Sequence, residues 1–121
     1  MKVLIIDDSR AARMVISRIM QNIGFETIEA GNGKEALEKL HATPEISICM
    51  VDWNMPVMNG YEFICEVRKD QIYTDLKLMM VTTENEASQI LKALAAGVDE
   101  YVMKPFTDEV IIDKLSFMGL A

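Results

Sequence analysis

Cysteine is scarce here: there are two, Cys49 and Cys65, and their spacing matches no metal-binding pattern. A chain of 121 residues buries roughly two-thirds of its unfolded surface and so needs neither disulfide nor metal staple to fold. Both thiols are expected to be buried in a reducing compartment. Positive charge is also short, 12 Lys and Arg against 19 Asp and Glu, giving a net charge of −7. No basic stripe exists, which argues against direct binding to nucleic acid or an anionic membrane. No apolar run is long enough to span a bilayer. The opening "MKVLII" is too short for a signal peptide and runs straight into "DD". Linkers, repeats and low-complexity segments are missing as well. The expectation is one soluble, cytoplasmic, monomeric domain over residues 1–121.

What is present is an alternation of two periods. Short apolar runs lie at Val3–Ile6, Ile46–Val51 and Leu76–Val81, with weaker ones at Phe25–Ala30 and Glu100–Met103. Between them lie segments of helical period. Arg10–Ile23 carries Ala12, Val15, Ile16, Ile19 and Ile23 on one face and stops at Gly24. Lys34–Ala42 carries Leu37 and Leu40; Gly60–Lys69 carries Phe63, Ile64 and Val67. Asn85–Ala96 carries Ala87, Ile90, Leu91 and Leu94, and Thr107–Phe117 carries Val110, Ile111 and Leu115, with Thr107 as a candidate N-cap. Strict βα alternation predicts an α/β fold: a doubly wound, five-stranded parallel sheet with helices on both faces. The near-continuous apolar runs agree, because central parallel strands are buried on both sides.

Each run ends in a chemically capable residue. "VLII" is followed by Asp7 and Asp8, "ISICMV" by Asp52, "LMMV" by Thr82 and Thr83, and "EYVM" by Lys104 and Pro105. In a parallel sheet these carboxyl ends share one edge, where ligands bind at the topological switch point. With strand order 2-1-3-4-5 that point puts Asp7, Asp8 and Asp52 face to face. A lone strand-end aspartate is ordinarily a solvated loop residue, and "DD" before a helix can simply favour the helix dipole. Three carboxylates, a hydroxyl and an ammonium at one edge are harder to assign to solubility. Clustered carboxylates repel one another unless a cation joins them. Mg²⁺ is a natural partner, since it commonly takes one or two carboxylates plus a phosphate. A carboxylate beside such an ion can attack phosphorus to give an aspartyl phosphate. Lys104 adds positive charge and Thr82 a donor, so the set is complete for phosphoryl acceptance.

The stretches "IIDDSR", "VDWNMPVMNG", "MMVTTE" and "YVMKPF" resemble the receiver domain of two-component response regulators, and more narrowly the stand-alone chemotaxis (CheY-like) type. The resemblance covers nearly the whole chain. It selects the strand order 2-1-3-4-5 of a flavodoxin-like (βα)5 fold. It implies that Asp52 is the phosphoacceptor, with a histidine kinase as phosphodonor, and that Asp7, Asp8, Asp52 and the Asn54 backbone carbonyl hold Mg²⁺ or Mn²⁺. It makes Thr82 the switch hydroxyl, Lys104 the phosphoryl-contacting cation and Tyr101 the aromatic that follows Thr82. A cis Lys104–Pro105 bond follows from it too. Asn54 and Glu84 fall at positions that tune dephosphorylation. Thr83 is larger than the small residue expected in chemotaxis members and would narrow access to Asp52. The implied activity is that of a switch catalysing only its own phosphoryl transfer and autodephosphorylation. An output protein would bind the face built from Asn85–Ala96, the Tyr101 strand and Thr107–Phe117. The chain ends about one helix after Lys104, so no output domain is expected, though an excised receiver would look the same.

Three other classes fit less well. A haloacid dehalogenase-type phosphatase needs a second Asp where Asn54 stands. A flavodoxin-like electron carrier needs a hydroxyl- and Gly-rich loop where "DDSRAAR" stands. A pseudo-receiver would not be expected to keep the whole constellation. Trp53 and the ten methionines are read as packing, and His41 as surface.

Overall fold

The computed structural model describes all of residues 1–121. Five strands and five helices alternate: β1 (Lys2–Ile6), α1 (Arg10–Asn22), β2 (Glu26–Ala30), α2 (Gly33–Ala42), β3 (Ile46–Val51), α3 (Gly60–Lys69), β4 (Lys77–Thr82), α4 (Ala87–Ala96), β5 (Glu100–Met103) and α5 (Asp108–Phe117). The strands are all parallel, in the order β2-β1-β3-β4-β5. No helix is long and apolar enough to cross a membrane.

The apolar runs are continuous because the sheet is covered twice. Alternate residues of one strand point to opposite faces. Val3, Ile5, Ile48, Met50, Met79, Val81 and Val102 therefore pack with Ile16, Ile19, Met20, Ile111 and Leu115 of α1 and α5. Leu4, Ile6, Cys49, Val51, Leu78 and Met80 face the other way, towards Ala36, Leu40, Phe63, Ile64, Val67 and Ala93 of α2, α3 and α4. The two runs that read weakest, β2 and β5, are the edge strands.

Helix starts follow the capping residues. Ser9, Asn32 and Thr107 each accept a backbone N–H three residues on, and Asn59 forms a reciprocal capping box with Glu62. Helix α4 has no side-chain cap and begins two residues later than its periodicity suggests. A 3-10 turn over Gln71–Tyr73, which the periodicity did not suggest, precedes β4.

Several expected core positions are not core. Val15 is exposed, whereas Ile16 and Ile19 are buried as expected and Met20 joins them. Ala87, Leu91 and Leu94 are exposed on α4, whose one buried residue is Ala93. Val110 is exposed on α5. Cys49 is buried as expected, and burial pushes its thiol pKa up; Cys65 is only half-buried. His41 lies on the surface but stacks on Tyr73.

Candidate functional site: an acidic cluster at the carboxyl edge of the sheet

The main-chain ladder reaches one residue beyond three of the strands, and those residues belong to the site. Asp7 N–H donates to Ala30 O at 3.1 Å, Asp52 N–H to Ile6 O at 2.9 Å and Lys104 N–H to Thr82 O at 2.8 Å. Sheet hydrogen bonds thus hold the backbones of both carboxylates and of the ammonium. The Lys104–Pro105 bond is cis.

Oxygen atoms of Asp7, Asp8 and Asp52 lie within 4.8 Å of one another. Asp7 is 1% exposed and Thr82 0%, whereas Asp52 is half-buried and Asp8 exposed. Lys104 Nζ sits 2.6 Å from Asp7 Oδ2 and 3.5 Å from Asp52 Oδ2. One ammonium therefore sits against two carboxylates of a cluster of three. Burial pushes the Asp52 carboxyl above its ordinary range and the neighbouring Asp7 charge pushes the same way; the Thr82 hydroxyl, Lys104 and the Trp53 N–H offset part of that. Burial opposes the charged form of Lys104, but its hydrogen bond to Asp7 and the two carboxylate charges outweigh it, so its pKa is raised. Such an arrangement has a deficit of positive charge and oxygen donors spaced for a small hard cation. The Asn54 carbonyl accepts no hydrogen bond from the protein. The donor set fits Mg²⁺ or Mn²⁺.

Above Asp52 the two flanking loops touch. Asn54 Nδ2 donates to Glu84 Oε2 at 3.2 Å, and Thr83 is exposed beside them. Glu84 N–H donates to Thr82 Oγ1 at 3.3 Å, while Tyr101 OH donates to the Glu84 carbonyl at 2.6 Å. Burial raises the Tyr101 pKa, with the Glu84 and Asp52 charges adding to it. Thr82 Oγ1 is thus engaged by the Glu84 N–H, and Tyr101 packs, partly buried, against the core.

The sequence reading missed three neighbours of the cluster. Ser9 N–H donates to Asp7 Oδ1 at 2.9 Å. Arg13 donates to the Asp7 carbonyl. Trp53 donates its N–H to Asp52 Oδ1 and stacks on Tyr61 at 5.5 Å, and Lys92 Nζ lies 4.4 Å from the Tyr61 ring centre. The only available signal was a cation six residues after Asp7 and an aromatic pair eight residues apart, neither of which forms a motif.

A parallel sheet with an acid cluster, an ammonium and a buried hydroxyl at its switch point is a site class suited to phosphoryl chemistry around a divalent cation. Residues 3–116 match the response regulator receiver domain model, and the chain belongs to that family of signalling domains in two-component signal transduction. It is 40% identical over 116 residues to chemotaxis protein CheY1 of Helicobacter pylori, covering 95% of this chain and 94% of that protein. Chemotaxis protein CheY of Pseudomonas aeruginosa is also 40% identical, with 95% and 93% covered. The solved structure of Vibrio cholerae CheY4 superposes with a TM-score of 0.89 at 34% identity, covering 97% of each chain. The Borrelia burgdorferi CheX–CheY–BeF3–Mg complex shares the fold, with a TM-score of 0.91 at 23% identity over 99% of this chain and 90% of that one.

Proposed function

We propose that this chain is a single receiver domain over residues 1–121 that takes a phosphoryl group onto Asp52 from the phosphohistidine of a histidine kinase, and that its phosphorylated form binds an output protein, in chemotaxis. The observation that carries this is the convergence of Asp7, Asp8 and Asp52 within 4.8 Å, with Lys104 and Thr82 against them. An Asp52 oxygen attacks phosphorus as the P–N bond to the donor imidazole breaks. Asp7, Asp8, Asp52 and the Asn54 carbonyl would hold Mg²⁺ or Mn²⁺, which neutralises charge on the transferring phosphoryl group. The Borrelia burgdorferi complex of the same fold contains BeF3 and Mg²⁺. Lys104 swings its ammonium from the carboxylate pair to the phosphoryl oxygens, and Thr82 donates its hydroxyl to one of them. The domain works only on its own acyl phosphate, which water later removes. Asn54 and Glu84, joined side chain to side chain, and the exposed Thr83 would tune that step.

Output rests on a two-state equilibrium that the phosphoryl group biases. Thr82 and Tyr101 form the link, since Tyr101 is tied to the Glu84 carbonyl just after Thr82. The surface that changes is built from α4, β5 and α5, where Leu91, Leu94, Met103 and Val110 are exposed. The domain is monomeric and cytoplasmic in this reading.

Acetyl phosphate with Mg²⁺ should add one phosphoryl group, seen by intact mass and labile to hydroxylamine. The label should map to Asp52. Equal labelling of Asp52→Asn would remove Asp52 as the nucleophile.

A further inference from the structure

Arg13 lies outside the acid cluster but ends on it. From the second turn of α1 its Nη1 donates to the Asp7 carbonyl oxygen. Its Nε pairs with Glu29 Oε1 of β2 at 3.0 Å. Glu29 is itself braced, because Ser17 Oγ donates to its other carboxylate oxygen at 3.4 Å and Lys39 Nζ donates to its main-chain carbonyl. The guanidinium is thus held from behind, and its side chain is only 18% exposed.

The two acids of the pair are fixed very differently. Asp7 is tied at every polar atom: its N–H to Ala30, Oδ1 to the Ser9 N–H, Oδ2 to Lys104 and its carbonyl to Arg13. The Asp8 carboxylate is exposed and takes part in no hydrogen bond or ion pair within the protein. Only the main chain directs it at Asp7 and Asp52. The carbonyl that Arg13 holds belongs to the peptide joining Asp7 to Asp8. A peptide group is planar, so fixing its oxygen fixes the direction in which Asp8 leaves the turn.

We infer that Arg13 is a positioning residue for the divalent-cation site: it holds the Asp7–Asp8 peptide so that the Asp8 carboxylate stays in the cluster. The inference rests on the metal-binding reading given above. It has an electrostatic rival with the opposite sign. As a mere nearby positive charge, Arg13 would repel a cation, and its removal would tighten binding. As a clamp, its loss frees Asp8 and weakens binding. Residues that orient metal ligands typically contribute about 10–100-fold to metal affinity.

Mg²⁺ titration followed by Trp53 fluorescence, well below the melting temperature, separates these cases. Arg13→Met and Arg13→Lys should both raise the apparent Kd by ~10-fold or more. Lysine keeps the charge but lacks the fork that reaches Asp7 and Glu29 together. Glu29→Gln, which loosens the brace and leaves Arg13 in place, should give a smaller rise. In an Asp8→Asn background the Arg13→Met effect should largely vanish, because the two act through one carboxylate. Full additivity of the two substitutions would mean Arg13 does not act through Asp8. Unchanged or tighter binding by Arg13→Met overturns the positioning role and leaves the phosphoacceptor reading intact. A wild-type protein indifferent to millimolar Mg²⁺ overturns the metal site itself, and the positioning role with it.

Discussion

Replacing Gly60 with alanine would set a methyl group 2.0 Å from the carbonyl oxygen of Asp52 and 2.9 Å from its carbonyl carbon and from Val51 Cγ1. A Cβ does not approach such atoms closer than about 3.0 Å, so one side must yield by at least about 1 Å. Neither side is free to move. Asp52 is pinned by its N–H on Ile6 O at 2.9 Å. The start of α3 is pinned by the Asn59–Glu62 capping box and by Gly60 N–H on Trp53 O at 2.9 Å. Crowding of this kind costs about 1–3 kcal/mol. For a chain of this length that lowers Tm by about 5–15 °C. On the proposed reading the effect on chemistry should be larger than the effect on folding, because the residue that moves is the proposed nucleophile. A displacement near 1 Å in a reacting group can cost about 100-fold in rate. Gly60→Ala should therefore unfold at lower urea concentration and label with acetyl phosphate roughly 100-fold more slowly at saturating Mg²⁺. Gly24→Ala is the matched control. Its φ of +99° makes it pay about 1 kcal/mol in backbone strain, but nothing lies within 4 Å of the new methyl, so its labelling rate should hold. If Gly60→Ala folds and labels at nearly the wild-type rate, the position of Asp52 does not depend on this close approach, and the reasoning fails.

Asp52→Asn should raise the stability of the metal-free protein at neutral pH. Burial and Asp7 raise the folded-state pKa of Asp52, so its ionisation costs stability as pH rises through the carboxylate range, and the gain in urea midpoint should shrink as pH falls. Lys104→Met should cost about 3–5 kcal/mol without metal by leaving Asp7 buried and unpaired; Mg²⁺ should recover part of this. Because the Lys104 pKa is raised on folding, its contribution is present at neutral pH and lost in the alkaline range, and the variant should lack that limb of the pH–stability curve. Val57→Asn should stabilise by about 1 kcal/mol, since Val57 is an exposed β-branched residue at φ 69° that loses no packing on replacement. Thr82→Ala should still take label on Asp52 yet lose most of the phosphorylation-dependent gain in affinity for its output partner, measured by titration; a full gain in this variant would place the coupling elsewhere.

The sheet and the ends of its strands were readable because burial on both faces leaves a visible trace. A strand covered twice must be apolar at every position, so the residue where the run breaks is where the chain meets solvent or a ligand. Asp7, Asp52 and Lys104 stand at such breaks, and Thr82 closes β4 as its last residue. Arg13, Glu29 and the Trp53–Tyr61–Lys92 stack were not readable. They are joined by side-chain contacts between elements, and such contacts have no period. An arginine on α1 looks like any solvated helix charge until the fold brings the Asp7 carbonyl under it.

The misreading of α4 has a different origin. Ala87, Ile90, Leu91 and Leu94 fall on a helical stripe, and a stripe ordinarily marks the buried face. Here Leu91 is 66% and Leu94 44% exposed, and the residue inserted into the core is Ala93. A methyl group anchors a helix weakly, and no side chain caps its start. Apart from the partly buried Ala96, what else holds α4 is polar and peripheral: Lys92 over the Tyr61 ring, and the Arg68 side chain packed against Gly97 at its far end. Elements with few buried apolar contacts lie at the low-stability end of a fold, from which moving parts are drawn. The loop that leads into α4 carries Glu84, which is hydrogen-bonded both to Tyr101 on β5 and to Asn54 in the loop after Asp52. The lysine near the middle of α4 reaches Tyr61, which stacks on the residue next to Asp52. On the proposed reading, a change at Asp52 meets α4 from two sides, through Thr82, Glu84 and Tyr101 and through Trp53, Tyr61 and Lys92. The apolar stripe that failed as a core face is then the part of the molecule with most freedom to change its presentation, because so little of the core depends on where it sits.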